Sequence, residues 1–214
     1  MRRMQYASVV ILAFLVTGCS GVRGSGKIVS ESRNVSGFSA VEFSGDGELL
    51  IEQTGTESLT ITADDNLLPY LISEVTNGRL VLKEKDFTTL TPTGNVVFKL
   101  TVKNLNGIDF AGDGAIDAKG IQSDDFRMNI SGDGKVSLAG VAERQDVHLS
   151  GDGQYTADNL TSKVGRVHLS GDGRVVLVAT DKLDVDLSGD GSVEYIGNPA
   201  ITQHVSGDGS IHKR

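Results

Sequence analysis

The chain has 214 residues, enough for one domain or at most two. With 20 Lys and Arg against 28 Asp and Glu, a formal net charge of −8, it lacks the basic surplus that a nucleic-acid partner demands. Gly is abundant at 27 residues, Trp is absent and aromatics make up 5%, which suits many turns and short strands and argues against a large aromatic core.

The N-terminus reads as a targeting segment. Arg2 and Arg3 make a short positive start, and the apolar run Tyr6 to Val16 is too short to span a bilayer as a permanent helix. Val16-Thr17-Gly18-Cys19 follows and looks like the lipobox of bacterial lipoproteins. The expectation is a signal peptide over 1–18, cleaved before Cys19, whose sulfur then carries lipid; the alternative is an ordinary secretory signal with a chance Cys. Loss of Arg2 and Arg3 leaves 18 basic and 28 acidic residues, a charge near −10. Cys19 is the only cysteine, so no disulfide is available and stability must come from packing and hydrogen bonding. A lipoprotein Cys usually carries several acyl chains, and these anchor firmly where one would not. Ser20 stands where some inner-membrane lipoproteins have Asp, which favours the outer membrane.

The stretch 20–37, SGVRGSGKIVSESRNVSG, is rich in Gly and Ser, and a flexible tether is expected over 19–36. The folded domain is expected over 37–214. Period-2 alternation starts at Phe38. The best candidate for a helical period is Leu67 to Val75, and Pro69 interrupts it.

A repeat then dominates. SGDG occurs at 44–47, 131–134, 150–153, 170–173, 188–191 and 206–209, with AGDG at 111–114. From Asp113 to Asp208 the steps are 20, 19, 20, 18 and 18 residues, the signature of a repeat architecture. Three residues before each Asp stand Phe110, Ile130, Leu149, Leu169, Leu187 and Val205; five before stand Ile108, Met128, Val147, Val167, Val185 and Gln203. Three after stand Ile116, Val136, Tyr155, Val175, Val193 and Ile211; five after stand Ala118, Leu138, Ala157, Leu177, Tyr195 and Lys213. Each unit is thus strand, Gly-Asp-Gly corner, strand and loop, with one face of each strand inside. Two architectures compete: a parallel β-solenoid of coils of 18–20 residues, and an antiparallel meander or barrel with Asp-Gly hairpin turns. Identical columns favour the solenoid, because only there does like stack on like. Roughly nine coils at ~4.8 Å each are expected, about three of them with degenerate corners between Asp46 and Asp113.

The segments RNVSGFSAVEFSGDGELLIEQ (33–53) and LTITADDNLLPYLISEVTNGRLVLK (59–83), followed by the SGDG series, resemble the bacterial head GIN domain family, also called the auto-transporter adhesin head domain. The resemblance covers about residues 30 to 214. It implies a right-handed parallel β-helix, often in secreted or lipid-anchored envelope proteins, and it brings no catalytic residue with it.

Glycines at the corners are expected to supply positive φ, and Asp to bond neighbouring amides and accept left-handed geometry. A second reading is a carboxylate ladder, Asp113, Asp133, Asp152, Asp172, Asp190 and Asp208, able to take calcium. Calcium wants six to eight oxygens, however, and each coil offers few. Four before each Asp lies a column pointing outward by parity: Asp109, Asn129, His148, His168, Asp186 and His204. His168, Asp186 and His204 are candidate metal ligands, against which stands the flatness of a stacked polar stripe. No cofactor is assigned.

No catalytic residue is assigned either. There is no nucleophilic Cys, Gly-x-Ser-x-Gly elbow or His-Glu-x-x-His, and a Ser repeated in every coil reads as structure. The preferred function is a non-enzymatic, lipid-anchored envelope protein that presents a β-helix as an adhesin-like or scaffold surface to an unknown protein or glycan. The alternatives are a calcium-stabilised binding module and a carbohydrate-processing β-helix, whose cleft would have to come from Asp64, Asp65, Lys83, Glu84, Lys85 and Asp86. Gln203 and Lys213 interrupt the inward columns of the last coil, so any homo-oligomer is expected through the lateral faces.

Overall fold

The computed structural model describes residues 20–214; the signal segment and Cys19 lie outside the described residues. The repeats build a parallel β-solenoid, and hairpin turns do not form at the SGDG corners. The first strands are β1 (Ser20–Arg23), β2 (Ile28–Arg33), β3 (Ala40–Ser44), β4 (Glu48–Gln53) and β5 (Ser58–Asp64). A 3-10 turn at Leu68–Tyr70 leads to β6 (Leu71–Thr76), β7 (Arg79–Glu84), β8 (Thr88–Thr91) and β9 (Val97–Val102). The regular coils contain β10 (Gly107–Ala111), β11 (Ala115–Ser131), β12 (Lys135–Ser150), β13 (Gln154–Ser170), β14 (Arg174–Val178), β15 (Lys182–Ser188), β16 (Ser192–Ile196), β17 (Ala200–Ser206) and β18 (Ser210–Lys213). The Leu67 to Val75 stretch thus gives one 3-10 turn, with Pro69 within it, and then a strand.

Two long parallel faces meet at the Gly-Asp-Gly corners. The face leading into the corners stacks β7, β3, β10, the ends of β11, β12 and β13, then β15 and β17. The face leaving them stacks β9, β4, the starts of β11, β12 and β13, then β14, β16 and β18. The middles of β11, β12 and β13 bend into a third side, where Ile121 lies beside Gly140 and Gly140 beside Leu160.

The stacking order departs from chain order. The coil at 40–53 does not begin a run of degenerate coils. It lies directly on the coil at 107–119: Phe43 pairs with Phe110, Leu49 with Ile116, and the Gly45 amide donates to the Ala111 carbonyl at 3.0 Å. The residues between loop outward and return as β7 and β9 on the far side of β3 and β4. There β5 runs antiparallel to β9 and β2, and β6 antiparallel to β7. Nine sequential coils are therefore replaced by the corner-bearing coils from Asp46 to Asp208 and one mixed cap. The reason lies in the side chains: Phe43 continues the column of Phe110, and their rings stack at 5.5 Å while Phe98 meets Phe43 edge-on at 5.4 Å.

The tether expected over 19–36 is, from Ser20 onward, built into this cap. β1 pairs with β8, and β2 with β5. Between them, the Gly26 amide donates to Asp64 Oδ1 at 2.7 Å, and Ser25 Oγ donates to Asp65 Oδ1 at 2.6 Å. Gly and Ser are here because the strap runs against Asp64: a Cβ on Gly24 would overlap that carboxylate.

The inward columns are buried as the alternation requires, Val147, Leu149, Tyr155, Val167, Leu169 and Val175 among them. A further interior column, seven before each Asp, escapes an apolar count: Phe126, Gln145, Gly165 and Leu183 stand in register. Gln145 is buried and fully engaged. It accepts from the Tyr155 hydroxyl at 3.0 Å, and its Nε2 donates to Ser162 Oγ at 2.6 Å and to the Val178 carbonyl at 2.9 Å. Burial pushes the Tyr155 phenol well above its ordinary range. Among the described residues, no helix is long and apolar enough to cross a membrane.

Candidate functional site: the groove before the corners

The corner aspartates serve the stack. Oδ1 of Asp46 accepts the amide of Asp113 at 3.4 Å, and the same bond repeats from Asp113 to Asp133, Asp133 to Asp152, Asp152 to Asp172 and Asp172 to Asp190. The last link, from the Asp208 amide to Asp190 Oδ1, is 3.2 Å. Each carboxylate thereby satisfies an amide that the corner would otherwise leave open. The corner Asp residues do not adopt positive φ; among the described residues only Asn77 and Phe87 do so without being Gly. That part of the expectation is corrected. Of the calcium candidates, Asp133, Asp152, Asp172 and Asp190 each have one oxygen on an amide and so less to offer an ion, while Asp208 ends the ladder.

The outward side of the corner-leading face is different. Two columns alternate there with the buried ones. One is Ser44, Ala111, Ser131, Ser150, Ser170, Ser188 and Ser206; the other is Glu42, Asp109, Asn129, His148, His168, Asp186 and His204. Together they line an open groove of about 740 Å³ along the solenoid. At one end Asp109 receives Arg79 and the Asn129 amide. In the middle His148 and His168 stack with ring centroids 4.7 Å apart. His148 Nε2 faces Asp146 Oδ1 at 3.3 Å, and His168 Nδ1 faces Asp186 Oδ2 at 3.6 Å.

Of the metal candidates, His168 and Asp186 are thus neighbours, while His204 pairs in register with Asp186 but, among the described residues, joins no convergent ligand group. The group that converges among the described residues is Asp146, His148 and His168. Asp146 escaped the sequence reading because it belongs to a different column, six before the corner Asp. The signal was present: Asp146 and His148 are two apart on one strand and share a face. That column alternates in sign across paired strands, Arg127, Asp146, Arg166, Asp184. Lys182 donates to Asp184 at 2.7 Å and holds its carboxyl below the usual range.

The charges proposed for a hydrolytic cleft lie elsewhere, and most are engaged. Asp64 is buried and accepts from Thr93 Oγ1 at 2.6 Å and from the Thr93 amide at 2.9 Å, which holds its carboxyl below its ordinary value. Asp65 takes Ser25 and Lys27, and Lys83 pairs with Asp86 at 2.9 Å. Burial raises the Glu84 carboxyl.

Similar folds occur in solved bacterial proteins. A putative adhesin from Bacteroides fragilis NCTC 9343 matches with a TM-score of 0.73 and 23% identity, over 90% of this chain and 100% of that one. A putative lipid binding protein from Parabacteroides distasonis ATCC 8503 matches with a TM-score of 0.60 and 22% identity, over 91% of this chain and 100% of that one. A putative adhesin from Parabacteroides merdae ATCC 43184 gives 0.57 and 20%, over 91% and 99%. No curated protein matches significantly. The solved structures share the fold, and the family model described as "Putative auto-transporter adhesin, head GIN domain" matches residues 37–199, so the chain belongs to that family.

Proposed function

We propose that this is a non-enzymatic, lipid-anchored protein of the cell envelope that uses its solenoid as an adhesin-like binding surface. The observation that carries the reading is the groove: small hydroxyls at Ser131, Ser150, Ser170 and Ser188 repeat at the strand spacing of ~4.8 Å along one open face. Such a surface matches an elongated ligand with its own repeat, such as a surface glycan or an extended peptide. Family membership supports the reading. The hydrolytic alternative draws little from Asp64 and Asp65, which tie the strap to the cap, or from Lys83 and Asp86, which pair with each other.

The test is binding of the purified full chain to a panel of envelope glycans and peptides. Ser150→Arg with Ser170→Arg fills the groove and is expected to weaken binding at least tenfold. Ser137→Arg with Thr156→Arg, on the face leaving the corners, is expected to leave it intact. Equal binding by both variants overturns the groove reading, and cleavage products would favour the enzyme.

The anchor rests on the sequence Val16-Thr17-Gly18-Cys19. From Ser20 onward the chain enters the cap as β1, without a long tether. Cys19→Ala is expected to move the protein from the membrane to the soluble fraction; retention in the membrane fraction contradicts the anchor.

A further inference from the structure

At the edge of the groove three side chains converge where their neighbours do not. Asp146 and His148 extend from the same side of β12, and His168 of β13 is the register partner of His148. The two imidazoles lie nearly parallel, 19° apart. One ligand-capable atom from each of Asp146, His148 and His168 lies within 4.8 Å of the other two. Asp146 Oδ1 is buried and, among the described residues, accepts no hydrogen bond, although His148 Nε2 is 3.3 Å away. Arg127 Nε stands 3.7 Å from the other oxygen, Oδ2, and leaves Oδ1 turned toward the histidines. A buried carboxylate oxygen without a donor is costly and calls for a partner.

The surroundings specify the partner. Asp186 Oδ2 lies 3.6 Å from His168 Nδ1. A carboxylate on one ring nitrogen orients a histidine and leaves the other nitrogen, here Nε2, as the ligand. In the adjacent coil His148 turns its Nε2 to Asp146 Oδ1.

We propose that Asp146, His148 and His168 form a site for a divalent transition-metal ion, zinc in the first instance. Two imidazole nitrogens and a carboxylate oxygen suit zinc, copper or nickel, and do not suit calcium, which takes oxygens. Around zinc, with bonds of about 2.0–2.1 Å, tetrahedral ligand atoms stand about 3.3 Å apart. Closure from the present spacing needs only small rotations of side chains that border solvent. The ion would bridge two successive coils and give Asp146 Oδ1 its partner. Three protein ligands leave a fourth position for water or a donor atom of a bound ligand, beside the hydroxyl column that holds Ser150 and Ser170. The site is complete within this chain and does not rest on the adhesin reading.

The experiment is calorimetric titration of the purified full chain with zinc chloride alone. Visible spectra after titration with cobalt(II) report the coordination geometry. One zinc per chain and intense tetrahedral cobalt bands are expected. His148→Ala, His168→Ala and Asp146→Asn should each weaken zinc at least tenfold, while His204→Ala, in the same column but outside the cluster, should leave it unchanged. Far-UV circular dichroism checks that each variant folds; these side chains border solvent, and His148→Gln and His168→Gln provide a second set. Failure to bind zinc stoichiometrically overturns the proposal. So does equal weakening by His204→Ala, which marks surface-histidine adsorption, or binding untouched by the His148 and His168 variants.

Discussion

Gly151 and Gly153 flank Asp152, yet they answer to different constraints. Gly151 has φ of 114°, where a side chain is strained, and a Cβ there would lie 2.7 Å from the Gly132 carbonyl. Gly153 has no positive φ, but a Cβ would meet the carbonyls of Gly132 and Gly134 at 3.0 Å. The expectation that both glycines supply positive φ therefore holds only for the first; the second is there to let coils approach. Gly151→Ala is expected to cost about 1–3 kcal/mol from backbone strain alone. Urea denaturation followed by circular dichroism measures it, and a loss below about 0.5 kcal/mol, the range of ordinary surface changes, contradicts the account.

At the scale of elements, the cap depends on Asp64 at the end of β5. Its carboxylate gathers Thr93 from the segment before β9 and Gly26 from the strap between β1 and β2. Hydrogen bonds from the Thr93 side chain, then from the Thr93 and Gly26 amides, outweigh burial and hold its carboxyl below the ordinary 3.8. A carboxyl depressed in the folded state contributes stability that is fully present above its unfolded value. That contribution is lost as pH falls through the lower, folded value. The cap should thus loosen in acid below about pH 3.8 while the regular coils persist. Asp64→Asn should lower the melting temperature at pH 7, and its deficit against the wild type should shrink below that pH. A deficit constant from pH 7 to pH 3 would show that the charge is not what matters.

At the scale of the whole molecule, each regular coil contacts only its neighbours, so stability is a sum of coil and interface contributions. Removal of residues 114–133, one full period, joins Asp113 to Gly134 and preserves the corner sequence. The remaining inward columns still match, with β12 able to follow β4 and β10 as β11 does now. The shortened chain is expected to fold with the same strand-rich spectrum and a modestly lower melting temperature. Removal of 114–123, half a period, takes away the strand that pairs with β4, so the coils on either side no longer stack and single-step cooperative unfolding should be lost. Equal behaviour of the two deletions in thermal melts would contradict nearest-neighbour stacking.

The sequence by itself determined the coil. Alternation around Val147, Leu149, Tyr155 and Ala157, repeated at Val167, Leu169, Val175 and Leu177, reports burial directly, because a strand exposes its two faces every second residue. The polar column of His148 and His168 was legible for the same reason. Only the tertiary structure decided which coils touch. Phe43 stacks on Phe110 across 67 residues because their columns match, and local periodicity carries no information on such a distant choice. The Gly- and Ser-rich start looked like a tether because its composition is that of one; Asp64, Asp65 and Asn66 supply the partners that order it. The inward place of Gln145 was not legible, because a polar residue in an inward column is tolerated only where groups such as Tyr155, Ser162 and the Val178 carbonyl meet it. The grouping of Asp146 with the two histidines likewise needed the register of β12 on β13, since ligand geometry depends on side chains that neighbouring coils place side by side.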